Sequence, residues 1–186
     1  MRAYKRWLFL LMAALALGAG AAQGADRLSA EKVLVARSHP SAVKHRRRTV
    51  DPRRIAHERA VTWRWQAIMG VRPTRLAVRP STRRTLRAWE RVARQAFLDY
   101  TNPPHKRAWL CIHRFEGSWS DSGDPYWGGL QMDRGFMEYY AARSLLRRGW
   151  ANRWSPLEQM WVAERAFRSG RGFYAWPNTA RYCGLI

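Results

Sequence analysis

Two cysteines, Cys111 and Cys183, set the widest constraint on how this chain can fold. Their weight depends on the compartment, which the first residues address. Arg2, Lys5 and Arg6 precede an apolar run from Trp7 to Leu17, and small residues follow as far as Ala22-Gln23-Gly24. Basic, then apolar, then small is the order of a secretory signal, and the apolar run is short for a membrane span. An uncleaved anchor is the rival reading. Residues 1–24 are expected to be removed, leaving a secreted chain in an oxidising compartment, where two cysteines pair by default. A Cys111–Cys183 bridge would close most of the C-terminal segment into one loop, a contribution of roughly 4 kcal/mol on the chain-entropy model. Zinc is a poor rival, because no CxxC or HxxxH companion completes a four-ligand set. No metal or other cofactor is implied.

Charge divides the chain. Lys and Arg number 34 against 13 Asp and Glu, a formal net charge of +21, and most of the excess lies in residues 26–107. Arginine interleaved with tryptophan suits an anionic polymer, and outside a cell the nearest is an acidic wall glycopolymer. Export argues against a nucleic-acid partner and limits membrane contact to the signal peptide before cleavage. The bland reading of the same residues is a solvated spacer whose one amphipathic helix packs on the domain.

Along this basic arm, residues 25–80 read as a linker, partly disordered, with a short helix over 55–69 that ends at Gly70. Ser81 and Thr82 are candidate caps for a helix through Tyr100, on which Leu86, Trp89, Ala93, Ala96 or Phe97, and Tyr100 form one apolar face. Arg83, Arg84, Arg87, Arg91 and Arg94 line the rest. Asn102-Pro103-Pro104 stops that helix, so residues 81–104 end at an expected domain boundary. In residues 105–186, a helix over 105–118 brings Trp109, Ile112, Phe115 and Glu116 close to one side. A short hairpin is expected around 119–131. Asp133 can cap a helix running to about Arg148, and Ser155-Pro156-Leu157-Glu158 is a capping box that opens another, ending near Gly170. The class is mainly α (α+β), with a short β element.

Glu116 is the candidate catalytic residue. Cleaving a glycosidic bond requires protonating a poor leaving group, and that needs a carboxylic acid held in its neutral form. Three local features act against ionisation of Glu116: the neighbouring rings of Phe115 and Trp119, the negative end of its own helix, and the lack of a basic residue on its side of that helix. His113 is the one nearby group that pulls the other way. Downstream, Gly128-Gly129 allow close backbone approach of an extended chain, and Gln131 offers donor and acceptor to an acetamido group. Tyr126, Trp127, Trp150, Trp154 and Trp176 present rings able to stack on sugars. Gln131 also has a purely structural reading, as an amide holding the Gly-Gly turn. Glu164 is the rival carboxylate; an i, i+4 pair with Arg168 would make it structural.

From Trp109 to the C-terminus, four segments in order resemble the transglycosylase-like domain of resuscitation-promoting factors, a branch of the lysozyme superfamily. They are Glu116-Gly117-Ser118-Trp119, Tyr126-Trp127-Gly128-Gly129-Leu130-Gln131-Met132, Gln159-Met160-Trp161-Val162-Ala163-Glu164-Arg165, and Ala175-Trp176-Pro177. Two departures stand out. The family's first cysteine directly precedes its glutamate, where this chain has Phe115. Its second follows Trp-Pro closely, whereas Cys183 lies further on.

The resemblance implies a small lysozyme-like domain that cleaves the β-1,4 bond between N-acetylmuramic acid and N-acetylglucosamine in peptidoglycan glycan strands. Glu116 would be its acid and then its base, with Gln131, Gly129, Tyr126, Trp127 and Trp176 holding substrate. The base step would serve either the sugar's own 6-hydroxyl (a lytic transglycosylase) or water (a muramidase). Asp121, Asp124 and Asp133 are available as a second carboxylate, though turns and helix caps use aspartates in the same way. The competing reading is a secreted wall-binding or signalling module that keeps the fold and cleaves little.

Overall fold

The computed structural model describes residues 49–186; the expected signal peptide and most of the expected linker lie outside them. The described part is mainly helical with one small two-stranded sheet. Among the described residues no helix is long and apolar enough to cross a membrane.

Helix α1 spans Pro52–Met69, with Asp51 as its cap, proline at its first position and Gly70 at φ 66° as its stop. Helix α2, Arg83–Thr101, starts where the Thr82 side chain accepts from the Thr85 N–H. Its buried residues are Leu86, Trp89, Ala93, Ala96 and Tyr100, the predicted face with Ala96 taking the position left open between it and Phe97. The five predicted arginines are exposed on the other side. Val50 donates to Ser81 O over 2.9 Å, so the starts of α1 and α2 are tied together.

The arm does not end in a domain boundary. α1 and α2 pack on each other and on α6 (Pro156–Ala166), and all belong to one compact unit. Trp161 of α6 donates its indole N–H to Tyr100 O over 2.6 Å, and Trp65 of α1 stacks on the Tyr100 ring at 4.4 Å. Two arginines of the α6 region close the other end of α1: Arg165 donates to Ala67 O and Arg168 to Met69 O. These are among the last carbonyls of α1, where a helix lacks partners and carries partial negative charge. Asn102-Pro103-Pro104 is therefore a turn inside one unit, and the linker expected up to residue 80 is structured from residue 49 onward.

Helix α3, Lys106–Glu116, buries Trp109 and Ile112. Strands β1 (Tyr126–Trp127) and β2 (Met132–Asp133) pair antiparallel, with Gly128-Gly129-Leu130-Gln131 as their turn. The helix predicted from Asp133 to Arg148 is two. Asp133 caps α4 (Arg134–Tyr140), the backbone is extended at Ala141 and Ala142, and α5 (Arg143–Leu146) starts afresh. Alanine favours helix, so the break is a tertiary effect: both alanines are buried, as are Tyr140 before them and Leu145 after. Ser155 and Glu158 form the predicted capping box of α6, which ends at Ala166 and passes into a wide turn, Phe167–Arg171. Helix α7, Pro177–Tyr182, closes the fold.

Cys111 and Cys183 are joined, with their Cα atoms 6.0 Å apart. The bridge fastens α3 to the end of α7 around a core that includes Trp109, Ile112, Met137, Val162 and Trp176.

Candidate active site

Glu116 is the last residue of α3, and the Gly117 N–H bonds back to His113 O. Its carboxyl group is half-buried and accepts, at Oε1, a 2.8 Å hydrogen bond from the Thr179 hydroxyl of α7. Among the described residues this is its one hydrogen-bond partner. The same hydroxyl lies 3.4 Å from Trp176 O. It can donate to an ionised Glu116, or turn to the Trp176 carbonyl and accept from a protonated one, so Thr179 serves either charge state.

A cavity of about 380 Å³ opens beside the carboxyl group, lined by Glu116, Tyr126, Gln131, Ala175, Trp176, Pro177 and Asn178. Glu116 is the only carboxylate among these residues. Tyr126 is 48 % exposed and belongs to the lining.

Gln131 also reaches the cavity, but its amide is engaged. Nε2 donates to Asp121 Oδ2 at 2.7 Å and to Gly128 O at 3.0 Å, so the donor half braces the turn and the carbonyl oxygen is the half left for a ligand. The reading of Gln131 as an amide that holds the Gly-Gly turn is the one its bonds display. Asp121 accepts at its other oxygen from the Gly123 N–H over 3.0 Å. That backbone bond first, and Gln131 second, hold its carboxyl below the ordinary aspartate range. Gly117 is required here. Its φ is 147°, and a Cβ would stand 3.3 Å from Gln131 Nε2, which accounts for glycine directly after the glutamate.

Of the remaining substrate-binding candidates, only Trp176 adjoins the cavity. Gly129 is buried, its N–H donating to Gln159 Oε1 at 2.8 Å and its carbonyl 3.0 Å from His113 Nδ1. A Cβ on Gly129 would lie 2.6 Å from both His113 and Trp119. The close approach it permits is to the protein's own rings. Trp176 is 6 % exposed and donates its indole N–H to Leu130 O over 2.6 Å, so it is core with one edge at the cavity. Trp154 is buried, and Trp127 pairs with Trp150 at 5.8 Å, away from the cavity lining. The rings expected to desolvate Glu116 are also engaged elsewhere. Trp119 stacks on His113 at 3.9 Å, and Phe115 pairs with Tyr182 at 5.5 Å.

Glu164 is structural, though not through Arg168, which donates to the Glu164 carbonyl instead. Its fully buried carboxylate accepts from the His105 N–H at 2.7 Å and the Trp109 indole at 2.8 Å, and faces His105 Nδ1 at 3.1 Å. Asp133 caps α4 through the Phe136 N–H, leaving it no part in the cavity.

Gln159 is the residue the sequence reading passed over. Fully buried on α6, it accepts from Gly129 N–H and donates to Trp119 O and Ala151 O, each at 2.8 Å, and to Trp154 O at 3.2 Å. It fixes the Gly-Gly turn, and through that turn Gln131, against the helical body. Its position in the Gln159–Arg165 segment was visible; its partners, all distant in sequence, were not.

The chain matches no protein-family model, no curated protein and no solved structure. The site therefore rests on its own geometry.

Proposed function

We propose that the protein is a secreted enzyme that cleaves peptidoglycan at the β-1,4 bond between N-acetylmuramic acid and N-acetylglucosamine, through a lysozyme-like domain similar to that of resuscitation-promoting factors. The observation that carries this reading is Glu116: a lone carboxylate at the end of a helix, beside a cavity that also offers an exposed aromatic ring and the Gln131 amide. Polar and aromatic groups of this kind suit a sugar, whose ring has apolar C–H faces and a polar rim.

In the reaction Glu116 gives its proton to the glycosidic oxygen as the C1–O bond breaks, and Thr179 donates to the carboxylate that forms. The carboxylate then takes a proton from the muramic 6-hydroxyl as O6 bonds to C1, or from a water molecule that attacks the same carbon. A conventional glycosidase uses a pair of carboxylates, and Asp121, bound to Gln131 behind the cavity, is the second one at hand, so both routes stay open. Gln131 Oε1 faces an acetamido N–H. The exposed arginines of α2 add a basic face for anionic wall polymers.

Digestion of purified peptidoglycan, with mass spectrometry of the soluble fragments, tests the proposal. Anhydro ends identify the lytic route and reducing ends hydrolysis. Binding to the wall without any soluble fragment would reject cleavage and assign a binding module.

A further inference from the structure

Phe115 and Tyr182 form an aromatic pair that neither the core nor the cavity uses. Their ring centroids are 5.5 Å apart, Phe115 is 55 % exposed and Tyr182 72 % exposed. Neither belongs to a hydrophobic core cluster. Two large rings held together in water gain little for folding, and what distinguishes this pair from the exposed Tyr139 and Tyr174 is its place beside the cavity.

The pair's position says what that is. Phe115 directly precedes Glu116 on α3. Tyr182 lies four residues after Asn178 on α7, so the two share a face one turn apart, about 6 Å along the axis. Asn178 lines the Glu116 cavity. The rings therefore continue the cleft by one helical turn. They are also held in place, because two cross-links join the same helices: the Glu116–Thr179 hydrogen bond and the Cys111–Cys183 bridge.

We propose that Phe115 and Tyr182 are a second binding platform for the glycan strand, stacking on a sugar beyond those that occupy the cavity and making the protein prefer long strands to short ones. This rests on the reading of Glu116 as the centre of a glycan-cleaving site. Rings adjoining a sugar-sized cleft, exposed on one face and fixed between two helices, suit the C–H face of a pyranose at small entropic cost.

The test uses the full-length protein, the Tyr182→Ala and Phe115→Ala/Tyr182→Ala variants, and Tyr182→Phe, which keeps the ring. Each is assayed on long glycan strands and on the N-acetylmuramic acid–N-acetylglucosamine disaccharide, which is too short to reach from the cavity to the rings, and each is sedimented with insoluble peptidoglycan. The expected result is about ten-fold slower cleavage of long strands by the alanine variants, with the disaccharide rate unchanged and Tyr182→Phe like wild type. Equal rates on both substrates would overturn the proposal. So would an equal fall on both, which would place the pair's effect in the shape of the α3–α7 junction, or loss of a dimer in the alanine variants, which would make this face a contact between two copies. Wild type that cleaves neither substrate would reject the cleavage reading. The platform is then judged by sedimentation: about ten-fold weaker retention of the Tyr182→Ala variant sustains it, and equal retention removes it.

Discussion

The hydroxyl of Thr179 donates to Oε1 of Glu116 over 2.8 Å, joining two residues 63 positions apart on helices α3 and α7. Thr179→Val keeps the shape and removes the hydroxyl. Stability should fall by about 1 kcal/mol, the ordinary net worth of one hydrogen bond. Cleavage should fall further than that, because the carboxyl group loses the partner that fits both its charge states, while Thr179→Ser should restore most of the rate. The rate per folded molecule checks this. A fall in the Val variant that Ser restores would place the Thr179 hydroxyl at the reacting carboxyl group, and an unchanged rate would make Thr179 merely structural.

Cys111 and Cys183 fasten the same two helices. Their separation of 72 residues makes the closed loop long, so Cys111→Ser/Cys183→Ser should lose roughly 4 kcal/mol on the chain-entropy model. A urea titration of the two forms measures it. Identical midpoints would mean that the unfolded chain is constrained in some other way.

Gln159 makes four hydrogen bonds from a fully buried position, one to Gly129 and three to carbonyls of Trp119, Ala151 and Trp154. Gln159→Leu keeps the volume and strands those four groups. We expect a loss of about 3 kcal/mol or more, at the upper end for unsatisfied buried groups. Activity should fall in the folded fraction as well, because the turn that carries Gln131 loosens. Thermal unfolding and rate per folded molecule separate the two effects.

Asp121 has its carboxyl lowered by the Gly123 N–H first and by Gln131 second. A carboxylate depressed in the folded state contributes stability that is fully present above its unfolded value and is lost as pH falls through the folded one. The wild-type turn should therefore weaken on acidification from the ordinary aspartate range downward, and Asp121→Asn should show a flatter dependence there. Melting temperatures of both proteins across acid pH test the sign; parallel curves would contradict it.

The sequence revealed most where structure is local. The face of α2 from Leu86 to Tyr100, the caps at Thr82 and Asp133 and the Ser155–Glu158 box all follow from spacing and side-chain chemistry within a few residues. It misled where distant partners decide. Ala141 and Ala142 break a helix that their own propensities favour, and Gly129 faces His113 and Trp119, which come from before the turn. Thr179 lay hidden for the same reason: it meets Glu116 only because α7, which no spacing in the sequence predicts, returns beside α3.

Whether Glu116 carries the proton is decided by Glu116→Gln. The amide keeps the size of the side chain and its bond to Thr179 but cannot act as a general acid or base. Wild type and variant are incubated with purified peptidoglycan, and the rate at which anhydro or reducing ends appear is followed by mass spectrometry. The variant should be about 10²–10⁴-fold slower, with wall binding and folding intact. Equal release of fragments by both proteins would rule out Glu116 as the acid.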